Sequence, residues 1–176
     1  MIQLDSLTLG YGSDILLDNV SASLEEGGLI ALLGRNGSGK STLLRAIAGL
    51  GEIKGGEISV GGKVLSCLKT DELARIVSFV TTERVRVPNL KCRDVVALGR
   101  APYTNWSGRL QSQDWEIVSE ALELLGMSDY ASRTMDRMSD GECQRIMIAR
   151  ALAQDPPVIL LDEPTSFLDL PNRYEL

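Results

Sequence analysis

The sequence predicts an α/β fold with a mostly parallel sheet, an antiparallel β region at the start and a helical insert in the second half. Three observations carry this. The stretch IQLDSLTLGYGSDILLDNVSASLEEGG alternates apolar and polar residues on both sides of a Gly-rich turn, as antiparallel, half-exposed strands do. The runs at 29–33 and 158–161 are continuously apolar, as strands buried on both faces are. Between them, short strand patterns alternate with helical ones, the mark of a parallel sheet with crossover helices.

In chain order, the buried strand expected at 29–33 breaks at Gly34. KSTLLRAIAGL follows with helical spacing and stops at the glycines of 49–51, where a residue without Cβ can end a helix. Residues 52–66 read as two short strands around GGK, and 69–76 as a short helix leading into the strand IVSFV. From Asp94 to about Arg133 the periodicity is helical, interrupted by APYTNWSGR, with DWEIVSEALELLGM the clearest amphipathic helix. A further helix is expected over 141–153 and a buried strand over 158–161. The domain reading is one domain over 1–176, with an antiparallel β region at 1–28 and a helical subdomain at about 90–150. It contains no internal repeat or low-complexity tract.

Composition narrows the function. With 176 residues, 44% hydrophobic and 24% charged, the chain can bury a core of its own. A net charge of -6 disfavours a general electrostatic grip on nucleic acid. Cys67, Cys92 and Cys143 are odd in number and show no C-x-x-C spacing, so they read as packing residues in a reducing, cytosolic setting. No apolar run approaches the roughly 20 residues that span a bilayer, so a membrane role would come through a partner. The absence of histidine excludes imidazole chemistry from these residues.

GRNGSGKS at 34–41 fits G-x-x-x-x-G-K-S/T, after an apolar run and at the head of a helix. A triphosphate needs many donors at close range. Gly34, Gly37 and Gly39 let the backbone curl so that N–H groups of the loop, including those of Asn36 and Ser38, face phosphate oxygens. Lys40 adds a full charge, Ser41 can ligate magnesium, and Thr42 continues the helix whose N-terminus faces the anion. The core is therefore expected to be a P-loop NTPase core that binds ATP and Mg2+. VILLDEP places Asp162 and Glu163 at the end of a strand, where ligands of open α/β sheets gather. Asp162 is expected in the magnesium shell, and Glu163 as the group that orients or deprotonates the attacking water. In MSDGECQRIMIARALAQ, Ser139 followed three residues later by Glu142 forms a capping box.

Taken together these motifs resemble the nucleotide-binding subunit of an ABC transporter, in order and spacing, over essentially the whole chain. Residues 138–142 match its L-S-G-G-Q-like signature, 158–163 its Walker B strand and 166–169 its D-loop. The resemblance implies a head-to-tail homodimer, in which Ser139, Gly141 and Glu142 of one copy close over ATP held by the phosphate loop of the other. It also implies that Tyr11 stacks on adenine. Two departures stand out: Asp140 replaces the first signature glycine, and Thr81, Thr82 and Glu83 stand where the family has its Q-loop glutamine.

VVALGRAPYTNW, ARALAQDPP and TSFLDLPNR resemble the ATPase subunits of importers for ferric siderophores, haem and vitamin B12. That resemblance implies an integral membrane permease as partner, a periplasmic or surface substrate-binding protein acting indirectly, no nucleic acid, and a peripheral place on the cytoplasmic face of the inner membrane. Tyr103 and Trp106 are the candidates for contact with the permease, against a role in core packing. The rivals are a soluble ABC-type ATPase of nucleic-acid maintenance and a nucleotide-dependent dimerisation module that never hydrolyses. The family also has a switch histidine on a strand after the D-loop helix. The expectation is therefore a C-terminally truncated ATPase domain, weakly active or inactive by itself.

Overall fold

The computed structural model describes residues 1–83, 88–104 and 108–164. They fall into two compact units, 1–77 and 78–176, each taken by itself below.

The first unit is built on an antiparallel sheet of β1 (Ile2–Tyr11), β2 (Asp14–Leu24), β3 (Ile53–Val60) and β4 (Lys63–Val64), in the order β2-β1-β3-β4. The expected hairpin is present: Tyr11 pairs with Asp14 across a turn whose Gly12 has φ 53°. The strict alternation fails in β1, because the register shift between Leu4 and Leu7 puts both of these residues, three apart, in the core. Gly56 serves that irregularity. It has φ 75°, and a Cβ there would sit 2.3 Å from the carbonyl oxygens of Asp5 and Ser6. Helix α1 (Lys40–Ile47) ends where predicted, with Gly49 at φ 70°. Its Ala46 and Ile47 are buried, as are Leu4, Leu7, Leu9, Ile58 and Val60 of the sheet. Helix α2 (Thr70–Ala74) closes the unit.

One expectation is overturned here. Residues 29–33 form no strand, with Leu29 100% and Leu33 88% exposed. An apolar run becomes a strand only when a neighbour takes its backbone N–H and C=O groups. Among the described residues no strand pairs with it, so the pattern has no ladder to join.

The second unit holds β5 (Val77–Val80), paired with β6 (Val158–Leu161) in a two-stranded parallel sheet, and the helices α3 (Cys92–Ala97), α4 (Ser112–Leu124) and α5 (Asp140–Ala153). The three helices pack on one another around Val95, Val118, Met135 and Ile146, all at most 1% exposed. At roughly 1.5–3 kcal/mol per fully buried large apolar side chain, this cluster is the main source of the unit's cohesion. β6 is less buried than its sequence suggests: Leu160 is in the core, but Ile159 is 37% exposed. Of the three cysteines expected to pack, Cys92 and Cys143 are buried and Cys67 is exposed, on a short 3-10 turn.

A buried ion pair joins the ends of two helices in this unit. Arg100 Nε donates to Asp114 Oδ1 at 2.9 Å and Nη1 to the carbonyl of Ala153 at 3.0 Å, while its guanidinium lies 4.1 Å from the Tyr103 ring centroid. Asp114 Oδ2 accepts the Gln111 N–H and so also caps α4. The Gln111 N–H is the chief reason, and Arg100 a further one, that the Asp114 carboxyl lies below the usual carboxylate range despite burial. Gly99 lets this turn approach α5: a Cβ there would lie 2.3 Å from the carbonyl oxygen of Arg150.

Candidate functional site

In the first unit, the segment from Gly34 to Thr42 forms the loop that the glycine spacing predicts. Gly37 has φ 79° and Gly39 φ 90°, a left-handed backbone that side chains avoid. At Gly34 a Cβ would sit 2.8 Å from Ser38 Oγ, so a larger residue there would push the serine hydroxyl aside. Lys40 Nζ donates to the carbonyls of Gly34 and Arg35, both at 2.9 Å, so its ammonium is held against the loop. Helix α1 begins at Lys40 with no side-chain cap and no acidic residue in its first turn. Its first turn, its dipole and the lysine together make a site for a polyanion. The residues therefore fit a nucleotide triphosphate, and Ser41 lies on the same first turn. Tyr11, 62% exposed at the end of β1, places its hydroxyl 3.4 Å from Thr42 Oγ1, next to this helix start.

In the second unit, β6 is followed by Asp162, which is 4% exposed and whose N–H donates to the Val80 carbonyl at 3.0 Å. Glu163 is exposed and has φ 46°, a conformation that costs a residue with a Cβ about 1–2 kcal/mol. The backbone turn thus separates the two acids, one inward and one outward. After β5, Thr81 Oγ1 accepts the Glu83 N–H at 3.2 Å, so Thr81 shapes the turn at the position of the missing glutamine.

The capping box of α5 is present. Ser139 Oγ accepts the Glu142 N–H at 3.3 Å, and Glu142 Oε2 accepts the Ser139 N–H at 2.7 Å. The Glu142 carboxyl is held below its ordinary range, first by the Ser139 N–H and then by the Ser139 and Tyr130 hydroxyls and nearby Arg133, against the effect of burial. Ser139 is exposed, with Asp140 and Gly141 beginning the helix behind it. Sequence reasoning did not single out Arg100, Tyr130 or Arg133. For Arg100 a signal existed, a charge closing the apolar run VVALG. Trp106 and the stretch 166–169 lie outside the described residues.

Comparisons with known proteins agree with this arrangement. The ABC transporter family model matches residues 17–166. An uncharacterised ABC transporter ATP-binding protein of Methanocaldococcus jannaschii is 42% identical over 176 residues, 100% of this chain and 61% of its own. The iron(3+)-hydroxamate import ATP-binding protein of Bacillus subtilis is 34% identical over 172 residues, 98% of this chain and 64% of its own. A dimeric ATP-binding cassette solved in a post-hydrolysis state with ADP and phosphate superposes with a TM-score of 0.83 at 30% identity, over 99% of this chain and 79% of that one. The chain spans 61% and 64% of the length of the two relatives. The matched motifs, the loop geometry and the shared fold together place the chain in the ABC transporter ATP-binding family, with a P-loop NTPase core.

Proposed function

We propose that this chain is the ATP-binding and ATP-hydrolysing part of a subunit that powers an ABC importer for an iron–siderophore, haem or cobalamin complex. The observation that carries the ATP-binding reading is the uncapped start of α1, with Lys40 tied to the loop carbonyls and two left-handed glycines beside it. The iron reading is supported by the similarity to an iron(3+)-hydroxamate import protein.

In this reading the N–H groups of 36–42 and the Lys40 ammonium hold the β- and γ-phosphates, and Tyr11 lies against the base. Ser41 and Asp162 would hold Mg2+, which neutralises phosphate charge when bound. Glu163 orients the attacking water and accepts its proton. Ser139 and Gly141 close over the γ-phosphate bound by a second copy. Outside the site, the turn with Leu98 56% and Tyr103 39% exposed meets a membrane permease, which a substrate-binding protein loads from the other side. The subunit sits peripherally on the cytoplasmic face of the membrane and does not engage nucleic acid.

The test is ATP binding by titration and phosphate release with Mg2+, in the full-length protein and in its Glu163→Gln variant. Binding with turnover in the parent, and unchanged binding with turnover slowed about a hundredfold or more in Glu163→Gln, is the expected result. Binding with no phosphate release from the parent would make it a nucleotide-dependent dimerisation module instead.

A further inference from the structure

Residues 138–142 offer two roles for Glu142. At the end of the signature it could reach a nucleotide, or it could serve its own helix. Its Oε2 accepts the Ser139 N–H at 2.7 Å, and the carboxylate also takes the Tyr130 hydroxyl, with the Arg133 guanidinium nearby and stacked 4.4 Å from the Tyr130 ring centroid. Tyr130 and Arg133 lie on a turn that is itself fastened to the start of α3. Cys92 N–H donates to the Arg133 carbonyl at 2.8 Å, Arg93 N–H to Ala131 at 3.0 Å and Met135 N–H to Leu90 at 3.0 Å. Lys91 and Thr134 form a β-bridge between them.

We infer that Glu142 is a positioning residue: it fastens Ser139 to the 130–133 turn, and through that turn's backbone bonds to the start of α3, so that the placement of α3 sets the placement of the signature serine. Ser139 Oγ accepts from the Glu142 N–H, and its hydroxyl, like that of Tyr130, faces the Glu142 carboxylate, so the serine side chain is held from both sides by one residue. Removing the carboxylate frees the Ser139 N–H, loosens the cap and breaks the link to the turn. A glutamine keeps an acceptor oxygen for that N–H and loses only the charge that Arg133 faces. Rotation of Ser139 away from the phosphate follows from loss of the acceptor, not from loss of the charge.

Amide hydrogen exchange without nucleotide tests this on the 176-residue chain. In Glu142→Ala the Ser139 amide exchanges about tenfold faster or more, while amides at 146–149 stay within twofold. Tyr130→Phe shifts the same amide in the same direction by about two- to threefold, and Glu142→Gln restores most of the protection. Unchanged Ser139 exchange in Glu142→Ala overturns the assignment, as does a loss spread evenly along α5, or a Glu142→Gln chain as unprotected as the alanine variant. The inference rests on the ATPase reading only in a second arm. There Glu142→Ala lowers kcat at least about fivefold with KM for ATP within twofold, whereas a shift confined to KM overturns it in favour of direct nucleotide contact. Should the parent chain release no phosphate, the ATPase reading fails alone, and the exchange experiment still decides the role of Glu142.

Discussion

The starts of α1 and α5 are both helix N-termini that the proposed function sets against phosphate, and they are built in opposite ways. Helix α1 has a left-handed glycine at its N-cap, no capping side chain, no acid in its first turn and a lysine as its first residue. Helix α5 has a reciprocal Ser139–Glu142 cap and two acids, Asp140 and Glu142, in its first turn. An uncapped start leaves its N–H groups for a ligand, and its dipole is unopposed. A capped start has already spent two donors on its own side chains and has placed negative charge where an anion would sit. In the proposed function the phosphate loop would therefore bind a triphosphate by itself, whereas the signature helix would present a fixed serine to a phosphate held elsewhere. One end is built for affinity and the other for placement.

Four changes test that contrast, from the largest expected effect to the smallest. The fixed placement of α5 depends on its far end too, where Arg100 grips the Ala153 carbonyl. Arg100→Met leaves Asp114 buried with its charge uncompensated, and should lower the stability of the helical unit by about 3–5 kcal/mol in urea unfolding. At the affinity end, Lys40→Ala should weaken ATP binding about a hundredfold, since charge-assisted bonds of up to about 3 kcal/mol go with the ammonium. An unchanged titration would remove the phosphate loop from the binding site. Ser139→Ala should cost the helical unit about 1 kcal/mol through the lost cap while leaving ATP affinity of the loop unchanged. Loss of ATP affinity in that variant would erase the division of labour.

The smallest effect is that of pH. Asp114 and Glu142 both ionise more readily in the folded chain than in a free peptide, so folding favours their charged forms. Their contribution is fully present above the ordinary carboxylate range, near pH 4, and is lost as pH falls through their depressed values. Thermal melts should thus show the helical unit losing stability below about pH 4, with a shallower slope in Glu142→Gln. A steeper slope in that variant would show that Glu142 titrates against the fold.

Where the physics is local, the sequence was sufficient. The left-handed glycines at 37 and 39, the end of α1 at Gly49, the hairpin at Gly12 and the Ser139–Glu142 cap each depend on a few neighbouring residues, and each was legible in the pattern of letters. The resemblance to the ABC family likewise rested on short motifs, and the match over residues 17–166 agrees with it.

What depends on partners distant in the chain was decided by the tertiary structure. Residues 29–33 carry the apolar run of a buried strand, yet they stand exposed, because hydrophobicity without a neighbouring ladder leaves a segment's backbone groups unpaired. In β1, register shifts against two partners at once turned Leu4 and Leu7, three residues apart, both inward, which no alternation rule anticipates. Arg100 could be seen in the sequence only as a charge beside apolar residues; burial between the start of α4 and the end of α5 made it a tether. Glu142 was legible as a cap, but its tie to Tyr130 and Arg133 exists only because the turn before α5 folds back onto the start of α3. Sequence alone determined the local conformations whose energy comes from neighbouring residues, and the tertiary structure alone decided which of those conformations found the distant hydrogen-bond and packing partners they needed.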